Sequence, residues 1–171
     1  MRIMGIDPGF GRMGVALLET QNAKGKTQKD ATEILYSACL ETEKTLDFPE
    51  RLNKIMLALT ELCHTWQPEV IALERLFFTK NQKTAMRVAE VRGAVIALAG
   101  RLGVAVREYG PQEIKIAVTG SGNASKNQVA NMIGRLIKLP KAPKHDDEYD
   151  AIAIALTSLV SWRTDIHSLR V

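Results

Sequence analysis

Val70-Ile71-Ala72-Leu73-Glu74 is the stretch whose reading decides the fold. It follows the helix breaker Pro68 and ends on a carboxylate. A short apolar run of this kind reads as a buried strand. On its N-terminal side, Leu52, Ile55, Met56, Leu59 and Leu62 recur at helical spacing up to Trp66. Pro49 opens that helix in a position that proline tolerates. On its C-terminal side, Thr84 to Leu102 reads as a long helix with Gly93 and Gly100 inside it. A buried strand between two helices places this part of the chain in the α/β class.

Toward the N-terminus the pattern changes. Ile3 to Asp7, Val15 to Leu18 and Ile34 to Leu40 read as three strands with short connections, an antiparallel start to the sheet. Pro8-Gly9 suits the centre of a type II turn, and Gln21 to Lys29 reads as a polar hairpin loop. Toward the C-terminus, Gly103 to Val106 gives a fifth strand. Helices follow at Pro111 to Val118, Ser125 to Leu139 and Asp147 to Val160. Pro140 and Pro143 frame a basic loop. The order β-β-β-α-β-α-β-α-α-α predicts one α/β domain over residues 1–162, with a mixed five-stranded sheet and helices on both faces. Residues 163–171 read as a polar C-terminal tail.

Composition narrows the function classes. The chain has 171 residues, enough to bury a core without disulfides or metal. Its apolar share of 46% and charged share of 25% are those of a globular domain. No window approaches the ~20 apolar residues of a membrane span, and the start lacks a secretory pattern. Cys39 and Cys63 read as buried, reduced thiols of a cytoplasmic protein, with no CxxC pair for zinc.

Charge is unevenly spread. Residues 1–74 carry a net −3, residues 75–144 a net +10 and residues 145–171 a net −3. A basic middle between acidic flanks predicts a polyanion-binding surface beside a carboxylate site. The carboxylates are Asp7 and Glu74, both at strand ends where α/β sheets bind ligands, and the run Asp146-Asp147-Glu148-Tyr149-Asp150. Asp147 and Asp150 are three apart and share one helix face. Taken singly, each has a plainer reading: a turn former at Asp7, a surface charge at Glu74, a helix cap at Asp146 or Asp147. Together they suit hard divalent cations, two of which can activate water against a phosphodiester.

The basic segment holds two candidate contacts with nucleic acid. In Arg75-Leu76-Phe77-Phe78-Thr79-Lys80 an aromatic, Phe77 before Phe78, can stack on exposed bases. Gly120-Ser121-Gly122-Asn123-Ala124-Ser125-Lys126 departs from the P-loop pattern, yet its backbone and Lys126 can cradle phosphate at a helix start. Lys115, Arg135, Lys138, Lys141 and Lys144 extend the positive field.

The ordered set of these motifs resembles the RuvC family of Holliday-junction resolvases, from Arg2 to about Val160. The matching segments are Ile6-Asp7-Pro8-Gly9 with Gly14, and Ala72-Leu73-Glu74 with Phe77 and Lys80-Asn81. They continue with Arg92-Gly93, Gly120-Ser121-Gly122 with Lys126, and Asp147-Glu148-Tyr149-Asp150-Ala151. The resemblance implies an RNase H-like fold, a homodimer, and cutting of four-way DNA junctions by paired symmetric nicks. It implies Mg2+, two per site with Mn2+ able to substitute, held by Asp7, Glu74, Asp147 and Asp150 as catalytic acids. It implies junction contacts by Phe77, Lys80, Lys115 and Lys126, and a RuvA–RuvB branch-migration complex as partner. His145 and Asp146 are further candidates for the third acidic position. The helix around Met86 to Leu98 is a candidate dimer face, with core packing the competing reading.

Two rivals share these features: another RNase H-like nuclease acting on branched DNA or RNA, and a non-catalytic junction-binding protein. A sugar-kinase-like phosphotransferase, suggested by Asp7-Pro8-Gly9 to Gly14, needs two such domains and more residues than the chain has.

Overall fold

A computed structural model of the chain describes residues 1–21, 32–76 and 82–168. Five strands form one sheet: β1 Arg2–Asp7, β2 Arg12–Thr20, β3 Thr32–Glu41, β4 Val70–Glu74 and β5 Ala105–Tyr109. Their spatial order is β3-β2-β1-β4-β5. β1 and β2, and β2 and β3, pair antiparallel; β1 and β4, and β4 and β5, pair parallel. The mixed sheet is the one expected from the sequence.

Helices α1 Phe48–Trp66 and α2 Gln82–Leu102 pack on one face. Helices α3 Pro111–Thr119, α4 Lys126–Leu136 and α5 Asp146–Ser168 pack on the other. Strand alternation divides the core accordingly. Met4, Ile6, Val15 and Leu17 meet Ile55, Leu59, Val91 and Val95 on the first face. Ile3, Ala16, Leu18, Val70 and Ala72 meet Ile114, Val129, Ile133 and the α5 stripe on the second. α5 is buried from Ala151 to Leu159, a helix apolar nearly all round.

Glycines let α5 lie directly on the sheet. A Cβ on Gly5 would stand 2.2 Å from the Ala151 carbonyl oxygen, and one on Gly14 would stand 1.9 Å from that of Asp147. No side chain larger than hydrogen fits either place.

Several boundaries differ from the sequence reading, each for a local reason. The fifth strand starts at Ala105 because Gly103, at φ +68°, closes α2. The Gly103 N–H donates to the Gly100 carbonyl and the Val104 N–H to that of Ala99, the Schellman pattern. α4 stops at Leu136 because Ile137 is extended and Lys138 forms a bridge to Glu33 of β3. α5 continues past Val160 to Ser168. Pro8-Gly9 does not make a type II turn, since Gly9 lacks the positive φ that turn needs. Gly9 is required for space instead: its Cβ would lie 2.0 Å from the Arg12 carbonyl oxygen. The expected hairpin loop after Gln21 falls mostly outside the described residues.

Candidate active site

Strand register builds the floor of the site. Cys39 pairs with Gly14, Gly14 with Asp7, and Glu74 with Tyr109. Ile6 pairs with Leu73, so Asp7 and Glu74 end neighbouring parallel strands side by side. The row Cys39, Gly14, Asp7, Glu74, Tyr109 thus crosses all five strands. Alternation turns the whole row toward α5. Gly14 leaves the gap into which the first turn of α5 descends, and that turn brings Asp147 and Asp150 over Asp7.

The electrostatics follow from this crowding. The Asp7 carboxyl is pushed up to about 7 by burial first, then by the charges of Asp150, Glu74 and Asp147. Glu74 is also raised, by burial and Asp150, against the opposing pull of Lys126, Arg92 and Lys115. Protein cations already stand against the cluster. Lys126 Nζ donates to Asp150 Oδ2 at 3.0 Å, which raises the Lys126 ammonium. Arg12 Nε lies 3.4 Å from Asp147 Oδ2. A cleft of about 180 Å³ joins Glu74, Lys115, Lys126 and Asp150.

Four of the expected acids therefore come together, and two of the expected lysines line the same cleft. Asp147 rather than Asp146 acts on Asp7, whereas Asp146 acts on Lys126. His145 offers its carbonyl to the Glu148 N–H at 3.1 Å. Phe77 and Lys80 lie outside the described residues. Ser125 is the N-cap of α4, with its hydroxyl accepting from Gln128 N–H and the Gln128 side chain accepting from Ser125 N–H. That capping box leaves the Gly120–Ala124 loop tied to the start of the helix that presents Lys126.

Other residues at the site were not among the candidate site residues, although Arg92 lies in the Arg92-Gly93 motif. Arg12 opens β2, and α5 brings Asp147 beside it. Arg92, on α2, pairs with Glu108 one residue before Tyr109 on β5. Its charge reaches Glu74. Cys39 donates toward Asp147 Oδ2 at 3.7 Å. Burial, then Asp147, pushes its thiol up to about 11, so it stands as a neutral neighbour.

The donor set fits a hard divalent cation: carboxylate oxygens crowded until one is driven toward neutrality, with no thiolate among them. Among the described residues no three His, Cys, Asp or Glu groups are drawn onto one point. Asp150 and Asp147 face Lys126 and Arg12 instead. Such an arrangement can trade protein cations for bound ones, and can hold a phosphodiester at its lysine-lined edge.

Comparison with known proteins gives one family. The model of the family "Crossover junction endodeoxyribonuclease RuvC" matches residues 3–158. The Brevibacillus brevis protein of that name is 39% identical over 157 residues, covering 92% of this chain and 90% of that one. The Pseudothermotoga lettingae protein of that name is 41% identical over 155 residues, covering 91% of each. Thermus thermophilus RuvC, solved in complex with Holliday junction substrate, superposes with a TM-score of 0.87 at 33% identity, over 96% of each chain.

Proposed function

The chain belongs to the RuvC family of crossover junction endodeoxyribonucleases, and from that premise we propose how its own residues perform the cutting. The fold is RNase H-like, and the activity is that of a structure-selective endonuclease that resolves four-way DNA junctions in recombination and repair. The observation that carries the residue assignment is the transverse row under α5, which sets Asp7 and Glu74 beneath Asp147 and Asp150.

In this reading Asp7, Glu74, Asp147 and Asp150 hold two Mg2+ ions, with Mn2+ able to substitute. When bound, the metal supplies an activated water and stabilises the leaving oxygen of the phosphodiester. Asp7, buried and crowded by three carboxylates, would gain most from a bound divalent charge. Lys126, beside Asp150 on the edge of the cleft, would hold a DNA phosphate. Lys115, on the same cleft, holds the strand from the other side. Arg12 orients Asp147, and the charge of Arg92 opposes the rise that burial imposes on Glu74. Phe77 and Lys80 contact the opened junction centre, and His145 and Asp146 flank the site without serving as ligands.

The homodimer forms on α2. Met86 and Ile96 are exposed there, and a Cβ on Gly93 or Gly100 would meet nothing within 4 Å. These small and apolar positions recur along one side of the helix, a surface that a second copy can approach closely. Two copies match the two equivalent strands of a junction. We assign residues 1–162 as the nuclease domain and 163–171 as its C-terminal extension. The RuvA–RuvB complex is the expected partner and the cytoplasm the location, where the free Cys39 and Cys63 stay reduced.

The deciding experiment uses an end-labelled four-way junction and a matched linear duplex, with Mg2+ and with EDTA, beside Asp7→Asn. Symmetric nicks on the junction alone are expected, lost with EDTA and in the variant, while junction binding persists. Nicks made by Asp7→Asn at the wild-type rate would remove Asp7 from the site. Equal cutting of both substrates would shift the reading to a less selective RNase H-like nuclease.

A further inference from the structure

Glu148 is a carboxylate that this chemistry does not use. It lies in the first turn of α5 between Asp147 and Asp150 and is only 4% exposed. Burying a carboxylate costs several kcal/mol unless hydrogen bonds replace its water. Here Ser37 Oγ on β3 donates to Oε2 at 3.3 Å, and the Lys144 N–H donates to Oε1 at 3.2 Å. The charge also raises the neighbouring Tyr36 phenol, after burial.

Helical spacing places Glu148 at the head of the stripe that faces the sheet, followed by Ala151, Ile152, Ala155 and Leu159. The rest of that stripe is apolar. Apolar contacts and the glycine gaps fix how close α5 comes to the sheet. They fix its rotation about its own axis weakly, because dispersion is not directional. Hydrogen bonds are directional. The two bonds of Glu148 tie the first turn to the edge strand β3 on one side and to the backbone ahead of the helix on the other.

We propose that Glu148 is a positioning residue: through Ser37 and the Lys144 N–H it sets the rotation of the first turn of α5, and with it the aim of Asp147 and Asp150. The proposal rests on the reading of those two acids as metal ligands. A carboxylate sits about 6 Å from a helix axis, so a rotation of about 10° moves it by about 1 Å. A displacement of that size can lower a rate by about 10²-fold.

The test compares Glu148→Ala, Glu148→Gln and Ser37→Ala by electron paramagnetic resonance of Mn2+ binding without DNA. Single-turnover junction cleavage and junction binding in EDTA are measured beside it. Glu148→Ala is expected to weaken Mn2+ binding about tenfold and to slow cleavage about 100-fold, with binding in EDTA unchanged. Glu148→Gln keeps an oxygen for Lys144 and a polar partner for Ser37, and is expected to recover cleavage to within about threefold. Ser37→Ala is expected to fall between. Wild-type Mn2+ binding and cleavage in folded Glu148→Ala would overturn the proposal. Should Glu148→Ala fail to fold, the same result in Ser37→Ala would overturn it. Asp147→Asn and Asp150→Asn run alongside. If neither alters Mn2+ binding, the ligand reading fails first and the proposal falls with it.

Discussion

Gly14→Ala probes the contact on which the site is built. The added Cβ would sit 1.9 Å from the Asp147 carbonyl oxygen and 2.5 Å from its carbon. Ordinary contact begins at 3.4 Å, so the first turn of α5 must retreat by 3.4 − 1.9, or 1.5 Å. Both obstructing atoms are backbone, so no rotamer change relieves them. Overpacking of this kind costs about 1–3 kcal/mol, and more where backbone has to move. At about 3 kcal/mol the melting temperature falls by roughly 6–12 °C for a chain of this size. The retreat also carries Asp147 off its place. A misplacement of about 1 Å can lower a rate by about 100-fold, and the same loss or more is expected here. Calorimetry and single-turnover nicking of a four-way junction, well below the melting temperature, measure the two effects. Gly134→Ala is the control, because its Cβ finds only Leu139 Cδ1 at 4.0 Å. It is expected to be neutral or to stabilise α4 by up to about 1 kcal/mol. A Gly14→Ala protein with wild-type stability and rate would refute the view that close approach to the sheet positions the acids.

Asp7 links stability to pH. Its carboxyl ionises near 7 in the folded chain against 3.8 ordinarily. The stabilisation from the protonated form is therefore full below about pH 4 and is lost as pH rises through 7. Asp7→Asn is accordingly expected to raise the melting temperature in EDTA at pH 8, by the equivalent of up to about 4 kcal/mol. The gain is expected to vanish below pH 4, and a pH-independent difference would contradict it. Lys126→Ala is expected to weaken junction binding and to flatten its salt dependence by up to about one unit of slope, read from binding titrations across salt. Ile96→Asp, placed on the 40%-exposed α2 position, is expected to yield monomers in sedimentation while leaving the melting temperature nearly unchanged.

Much of this site could be read from residue order alone. Val70 to Glu74 is both the expected and the observed strand, because a fully buried parallel strand needs only an apolar run and a stop. Asp7 and Glu74 were legible because they end such runs, and Asp147 with Asp150 because helical spacing is local. The parts that stayed hidden depend on register. Nothing in the sequence says that Gly14 lies beside Asp7, or that Cys39 lies beside Gly14, until antiparallel pairing brings them together. Arg12 and Glu148 gain their partners through contacts 135 and 111 residues apart in sequence. Pro8 makes Gly9 read as a turn residue, whereas its value is the absence of a side chain against Arg12. Gly103 and Val104 look like strand residues but serve as a helix cap, so β5 begins only at Ala105.

The acids of this site are far apart along the chain, at positions 7, 74, 147 and 150. A ribosome adds about 5–20 residues each second. Roughly seventy residues separate Glu74 from α5, so the strands with the first two acids emerge several seconds before the helix with the last two. The cationic segment 75–144 is made in that interval. On the assignment proposed above, the acid set is complete only once α5 has emerged and settled into the gap at Gly14.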